Sequence, residues 1–184
     1  MITIAGPHDR NFIKGKKVFN VTSCSTDFCK ALSPMILGPC KLYRDFVSKT
    51  VENGWQYSKV YSEYDNDGIP SIDYFKWAIE GWSNFKGIRY PKGKGAKPLY
   101  SFWNDECLDY IEARKKIYIP LYTRAARENE AFRILQCMYD KGEDLILWDF
   151  DGRITSETNK EIILNPSKPL GHGFVLKLML EGLL

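Results

Sequence analysis

Histidine is nearly missing from this chain, which has only His8 and His172 in 184 residues. Its five cysteines (Cys24, Cys29, Cys40, Cys107 and Cys137) are irregularly spaced and form no C-x-x-C pair. A structural zinc site needs four clustered N or S ligands, so this supply argues against one, and no cofactor is expected. An odd cysteine count also argues against a disulfide framework and fits reduced thiols in a cytoplasm. Long apolar runs are missing too. Nothing approaches the roughly 18 residues a membrane span requires. The segment Met1–Pro7 lacks a basic start followed by an apolar stretch, so no signal peptide is read. There is no internal repeat and no low-complexity tract. Charge is close to balanced, with 26 Lys and Arg against 23 Asp and Glu. A net charge of +3 does not by itself predict nucleic-acid binding.

Aromatic residues are plentiful, at 14% of the chain, with 11 Tyr and 5 Trp. They fill cores by default, but Tyr and Trp also suit a site that stacks on bases or sugars. The length fits one domain with room for a real core.

Patterning sets out the expected elements. Lys17–Thr22 alternates and reads as a strand. Residues 23–35 read as loop, and Gly38-Pro39 suggests a short hairpin or a bent strand between Ile36-Leu37 and Lys41–Tyr43. A helix is expected over Lys49–Tyr61 with Ser48 as its cap and Val51, Trp55 and Ser58 buried. A second covers Ile72–Trp82, capped by Ser71, with Phe75, Ile79 and Trp82 inward. Between these two, Asp65-x-Asp67-Gly68 lacks the remaining ligands of a calcium loop and reads as a turn. Further helices are expected over Glu106–Ile117, Leu121–Tyr139 and Gly171–Leu183. A strand is expected over Leu145–Phe150, and a polar loop over 153–169.

Three places carry candidate chemistry. On the 49–61 helix, Glu52, Gln56 and Lys59 fall at i, i+4 and i+7, which puts a carboxylate, an amide and an amine on one face. An ordinary solvated helix face is patterned the same way. Residues 86–97 mix Lys86, Arg89, Lys92, Lys94 and Lys97 with glycines and Tyr90. This is either a phosphate or nucleic-acid clamp or a solvated loop. Gly93-Lys94-Gly95 is not a Walker loop, because no strand leads in and no Lys-Ser/Thr follows. Finally, Trp148-Asp149-Phe150-Asp151-Gly152 ends an apolar run. It resembles the first motif of haloacid-dehalogenase-like phosphatases, but too little chain follows to complete that domain. The bland role for Asp149 is a strand-end cap.

Thr50-x-Glu52-Asn53-x-x-Gln56-x-x-Lys59 resembles the "Thr-x-Glu-His-x-x-Gln-x-x-Lys" helix of the NADAR superfamily, with Asn53 in place of His. Leu32-Ser33-Pro34-Met35 stands where that family has a Leu-Ser-Asn-Phe-like turn. Leu170-Gly171 with Leu178-Met179 is similar to its closing helix. Trp148 precedes the aspartates, whereas the family's tryptophan follows, and 62–104 looks like an insertion. The chain also looks like a group of uncharacterised phage proteins. The resemblance implies a single α+β, mainly helical domain over 1–184 with a few short strands. It also implies an N-glycosidase or ADP-ribosyl hydrolase that cleaves a ribose C–N bond in a nucleotide, an ADP-ribose adduct or modified nucleic acid. Such an enzyme would act in a cytoplasm, the host's if phage-encoded. Glu52, Asp149 and Asp151 are then the candidate catalytic carboxylates. Ser33, Gln56, Lys59, Trp148, Lys92 and Lys94 are candidate substrate contacts. The competing expectation is a non-catalytic module that binds a nucleotide or nucleic acid. No membrane partner is expected, and the oligomeric state is open.

Overall fold

The computed structural model describes residues 1–184. The chain is α+β, about 40% helical and 15% strand, with small sheets and no barrel. Chain contacts divide it into two compact units. Unit 1 comprises Met1–Pro34 and Tyr122–Leu184, and unit 2 comprises Met35–Leu121. The segment 62–104, expected as an insertion, lies within unit 2.

Unit 1 opens with β1 (Ile2–Ala5), α1 (Arg10–Ile13) and β2 (Phe19–Asn20). Unit 2 follows with β3 (Cys40–Lys41), β4 (Val47–Ser48), α2 (Val51–Gln56), β5 (Lys59–Val60), β6 (Asp65–Asn66) and β7 (Ile69–Pro70). It continues through α3 (Ile72–Ser83), β8 (Tyr100–Trp103), β9 (Glu106–Leu108) and α4 (Tyr110–Ala113), then a π-helical stretch, Arg114–Tyr118. The chain passes through α5 (Ile119–Arg127) to α6 (Glu130–Asp140), β10 (Leu145–Trp148), α7 (Asn159–Leu164) and α8 (His172–Leu180). No helix is long and apolar enough to cross a membrane.

In unit 1 the sheet order is β1-β10-β2, with both pairings parallel. Ile2 through Ala5 lie opposite Leu145 through Trp148. The central strand buries Leu145 and Leu147, and α8 buries every residue except Lys177. A helix apolar nearly all round belongs in a core, which is why its expected inward set, Phe174, Leu176, Met179 and Leu180, is wholly buried. Where β1 and β10 end, two backbones meet too closely for side chains. A Cβ on Gly6 would lie 1.9 Å from the Gly152 carbonyl oxygen, and one on Gly152 would lie 2.3 Å from that of Ala5.

Unit 2 is built of short antiparallel pieces: β3 with β4, β6 with β7, and β5-β8-β9. Asp67 and Gly68 both adopt positive φ between β6 and β7, and Asp65 accepts from the Gly68 N–H at 3.1 Å. Asp65-x-Asp67-Gly68 is thus a hairpin turn.

Several expected elements take another form. The hairpin turn lies between β3 and β4, because Cys40-Lys41 pairs with Val47-Ser48 instead of folding back at Gly38-Pro39. The 49–61 helix stops at Gln56 and starts at a Thr50 cap, since Lys59-Val60 is drawn into pairing with β8. Residues 28–32 form a 3-10 helix capped by Asp27. Glu106–Leu108 is a strand, and the long helix from 121 splits at the Asn129 cap. On α3, Phe75 is only half-buried and Ile79 is exposed, while Tyr74, Ala78, Gly81 and Trp82 face in.

The stretch 153–169 holds α7, whose Thr158 and Glu161 form a capping box. Just before it, Glu157 gathers donors: Arg153 Nε and a terminal nitrogen at 3.0 and 2.8 Å, Thr155 Oγ1 at 2.9 Å, Asn165 Nδ2 at 3.1 Å and Lys168 Nζ at 3.2 Å. Arg153 above all, then Asn165, Thr155 and Lys168, draw its carboxyl down from the usual 4.5 to about 2 against the opposing effect of burial. A carboxylate whose pKa is lowered by folding contributes stability above its unfolded pKa and loses it as pH falls toward the folded one. Stability should therefore decline between pH 4.5 and 2. Denaturant midpoints measured across that range should show a flatter slope in Glu157→Gln than in the wild type.

Candidate functional site

Every residue of α2 is buried, polar ones included. Buried polar groups must find partners, and these do. Thr50 Oγ1 accepts from the Asn53 N–H at 3.1 Å. The Asn53 side chain donates to the carbonyls of Asn84 and Lys86, at 2.8 and 3.0 Å, and accepts from the Ile88 N–H at 2.8 Å. The residue that departs from the NADAR pattern is therefore a pin that fixes the 84–88 segment to the helix.

One turn along, the chemistry-bearing groups form a chain. Gln56 Nε2 donates to Glu52 Oε1 at 2.9 Å, and Lys59 Nζ donates to Gln56 Oε1 at 2.6 Å. The amide is held from both sides, so its orientation is set by its neighbours. Lys59 Nζ also stands 4.8 Å from the centroid of the Trp55 ring, within cation–π range. Trp55 in turn packs against Tyr118 and Tyr110, with ring centroids 5.4 and 6.4 Å away. Burial pushes the Lys59 ammonium down from 10.5 to about 8, with Glu52 opposing the shift and Arg89 adding to it. An amine that titrates there can donate or take a proton near neutral pH. The sequence placed Glu52 and Gln56 beside the buried face, whereas the structure places them in it.

Unit 1 holds Ser33, Trp148, Asp149 and Asp151. Asp149 is buried at the end of β10, where Oδ2 accepts from the Gly173 N–H at 3.0 Å and lies 3.3 Å from His172 Nδ1. Its Oδ1 accepts from the Asp151 N–H at 3.4 Å. His172 Nε2 sits 2.8 Å from the Val21 carbonyl, which only accepts, so that nitrogen donates to it. The first turn of α8 has no side-chain cap of its own, and Asp149 supplies the anion its N–H groups and dipole favour. This carboxylate, a candidate for the chemistry, is engaged in holding a helix end. Gly171 makes room for it, since a Cβ there would come within 2.3 Å of Asp149 Oδ2. Trp148 is half-buried and meets Phe150 edge-on at 5.0 Å. Ser33 is buried and ends the 28–32 helix.

A family model of unknown function, DUF6939, matches residues 8–176. The chain belongs to the DUF6939 family. No curated protein matches it. The DUF6939 match takes in both the Glu52–Gln56–Lys59 chain and the Asp149–His172 contact.

The basic segment of this DUF6939 chain divides in two. Lys92 is tied down: it pairs with Glu63 at 2.9 Å, donates to Tyr64 Oη at 2.7 Å and lies over the Tyr64 ring at 4.2 Å. Lys94 and Lys97 are exposed, with Gly93 and Gly95 at positive φ around them. No group of three His, Cys, Asp or Glu side chains could hold a metal ion.

Sequence reasoning missed Arg114, and it named Arg89 only within the basic segment and Asn53 only as a departure from the NADAR pattern. Arg114 is 1% exposed, its guanidinium lies 4.2 Å from the Tyr110 ring, and it donates to Tyr110 Oη at 2.8 Å. It begins the Arg114–Tyr118 π-helical stretch, a distortion frequent at functional sites. Nothing in the local pattern of that segment distinguishes it from an ordinary amphipathic helix.

Two measurements check this geometry. In Asn53→Ala the lost hydrogen bonds should cost about 1–3 kcal/mol of unfolding free energy. Hydrogen exchange at the Ile88 amide should accelerate at the same time. Lysine titration by NMR should place Lys59 near 8. Because the Glu52 charge raises that value, Glu52→Gln should shift the midpoint lower still.

Proposed function

We propose that the Glu52–Gln56–Lys59 chain is the centre of an N-glycosidase-type hydrolase that cleaves a ribose C–N bond. The observation that carries this reading is the hydrogen-bonded chain itself, buried and walled by Trp55. A carboxylate held in one orientation, with little water around it, is suited to meet positive charge that develops on a sugar ring. Breaking a ribose C–N bond passes through an oxocarbenium-like state, and Glu52 would stabilise that cation and activate the incoming water. Gln56 orients the carboxylate. Lys59, titrating near 8, tunes Glu52 through the shared amide. Trp55, with Lys59 above it, supplies the aromatic wall of the site. The NADAR resemblance of Thr50–Lys59 supports the same chemistry and a nucleotide or ADP-ribose adduct as the substrate class. Asp149 is left out of the catalytic set, because its carboxylate serves α8 and His172.

The test incubates purified protein with NAD, ADP-ribose, free nucleotides and ADP-ribosylated DNA, and follows products by mass spectrometry. Wild type should release a free base, nicotinamide or ADP-ribose. Glu52→Gln should lower the rate by about 10²–10⁴-fold, the usual worth of a positioned acid–base group, while ligand affinity is retained. No product from any substrate would sink the proposal. If a ligand co-purified with such an inactive protein, and affinity fell when Lys94 and Lys97 were neutralised, the chain would be a binding module.

A further inference from the structure

Between Glu80 and Asp105 the chain has no acidic residue, while Lys86, Arg89, Lys92, Lys94 and Lys97 are basic. Lys92 is committed to Glu63 and Tyr64, and the Arg89 charge acts on Lys59. Lys86, Lys94 and Lys97 are exposed, as is Lys49, and no carboxylate of the chain pairs with any of these four. Two large rings stand in the open on the same segment, Phe85 at 81% exposure and Tyr90 at 48%. Each has a cation beside it. Lys49 Nζ lies 4.6 Å from the Phe85 ring centroid, and the Arg89 guanidinium 5.4 Å from that of Tyr90. The backbone that presents Phe85 and Lys86 is fixed, because Asn53 holds the carbonyls of Asn84 and Lys86 and the Ile88 N–H. Gly87 packs so closely that a Cβ there would lie 2.8 Å from Met35 Cα. A surface held in place before it binds loses less freedom on binding.

We propose that residues 84–97, with Lys49, form a surface that binds single-stranded nucleic acid. Phosphates meet the four unpaired lysines, and unstacked bases lie on the Phe85 and Tyr90 rings. Two observations of different kinds converge on this occupant, the uncompensated positive charge and the exposed rings set among it. A duplex keeps its bases stacked on one another, so it offers phosphates but no free base faces. An acidic peptide would answer the lysines and leave the rings unused. A membrane is the poorer fit, because sinking Phe85 into lipid would carry the Lys49 ammonium toward hydrocarbon. Stacking reads no base edges, so the surface tolerates any sequence and accepts DNA or RNA. It stands apart from the glycosidase reading, since it requires no turnover at Glu52.

The test measures fluorescence anisotropy of labelled oligo-dT and oligo-U, about 12 nucleotides long, with the full chain over a range of salt. Both strands should bind, and log affinity should fall against log salt with a slope of about −3, roughly 0.7 for each of four phosphates. Replacing Lys94 and Lys97 by Gln should about halve that slope. Phe85→Ala and Tyr90→Ala change exposed side chains, and each should weaken binding about tenfold, the worth of one stacked base. An abasic strand should bind at least about tenfold more weakly than oligo-dT, and a duplex of the same length should compete poorly. Glu52→Gln should bind as the wild type does, so loss of turnover and loss of this surface are separable. The proposal is overturned if neither strand binds at low salt. It is overturned too if abasic strand or polyglutamate binds as well as oligo-dT and the two ring variants change nothing. Capture by phosphatidylserine vesicles that oligo-dT does not compete away would make the surface a membrane contact instead.

Discussion

A helix buried on every side must satisfy each polar group it carries, and α2 carries Glu52, Asn53 and Gln56 in six residues. A lone buried carboxylate would cost several kcal/mol, and an unpaired amide about 1–3 kcal/mol. Unit 2 is arranged so that neither arises. Asn53 uses both ends of its amide to hold the 84–88 segment, and Gln56 links Glu52 to Lys59. The hydrogen bonds that make the helix tolerable in a core also place the chemistry. Lys59 is drawn toward a proton-exchanging range by the burial that brings it to Gln56.

Unit 1 depends on a similar economy. The α8 helix is apolar and capless, and its N-terminus needs an anion. Asp149 fills that need from the end of the central strand, and its neighbours have no side chains where it passes: Gly171 beside its carboxylate, Gly6 and Gly152 where the backbones cross. The acidic Asp-x-Asp-Gly segment resembles a phosphatase motif because both call for a carboxylate at a strand end beside a tight turn. The tertiary use differs.

Much of the element plan was legible. Ser71 ahead of Ile72 marked α3, the apolar run Leu145–Phe150 marked β10, two residues shorter in the structure, and Phe174, Leu176, Met179 and Leu180 marked the core side of α8. The Thr158 and Glu161 capping box that starts α7 was passed over, since the whole of 153–169 was read as a polar loop. Boundaries failed where tertiary pairing overrode local preference, as when β8 drew Lys59-Val60 out of a helix. Nothing local required Glu106–Leu108 to be a strand, since its partner, Tyr100–Trp103, sets it.

The sequence by itself determined that Glu52, Gln56 and Lys59 share a spacing, that Asp149 ends an apolar strand, and that ligands for a zinc site are too few. Those follow from periodicity and composition, which are properties of neighbours along the chain. Only the tertiary structure decided that the helix is buried on all faces, that Asn53 is a pin, that Arg114 lies in a π-helical stretch against Tyr110, and that Asp149 serves α8. Each of these depends on groups far apart in sequence meeting where water is excluded, and no local pattern encodes which groups will meet.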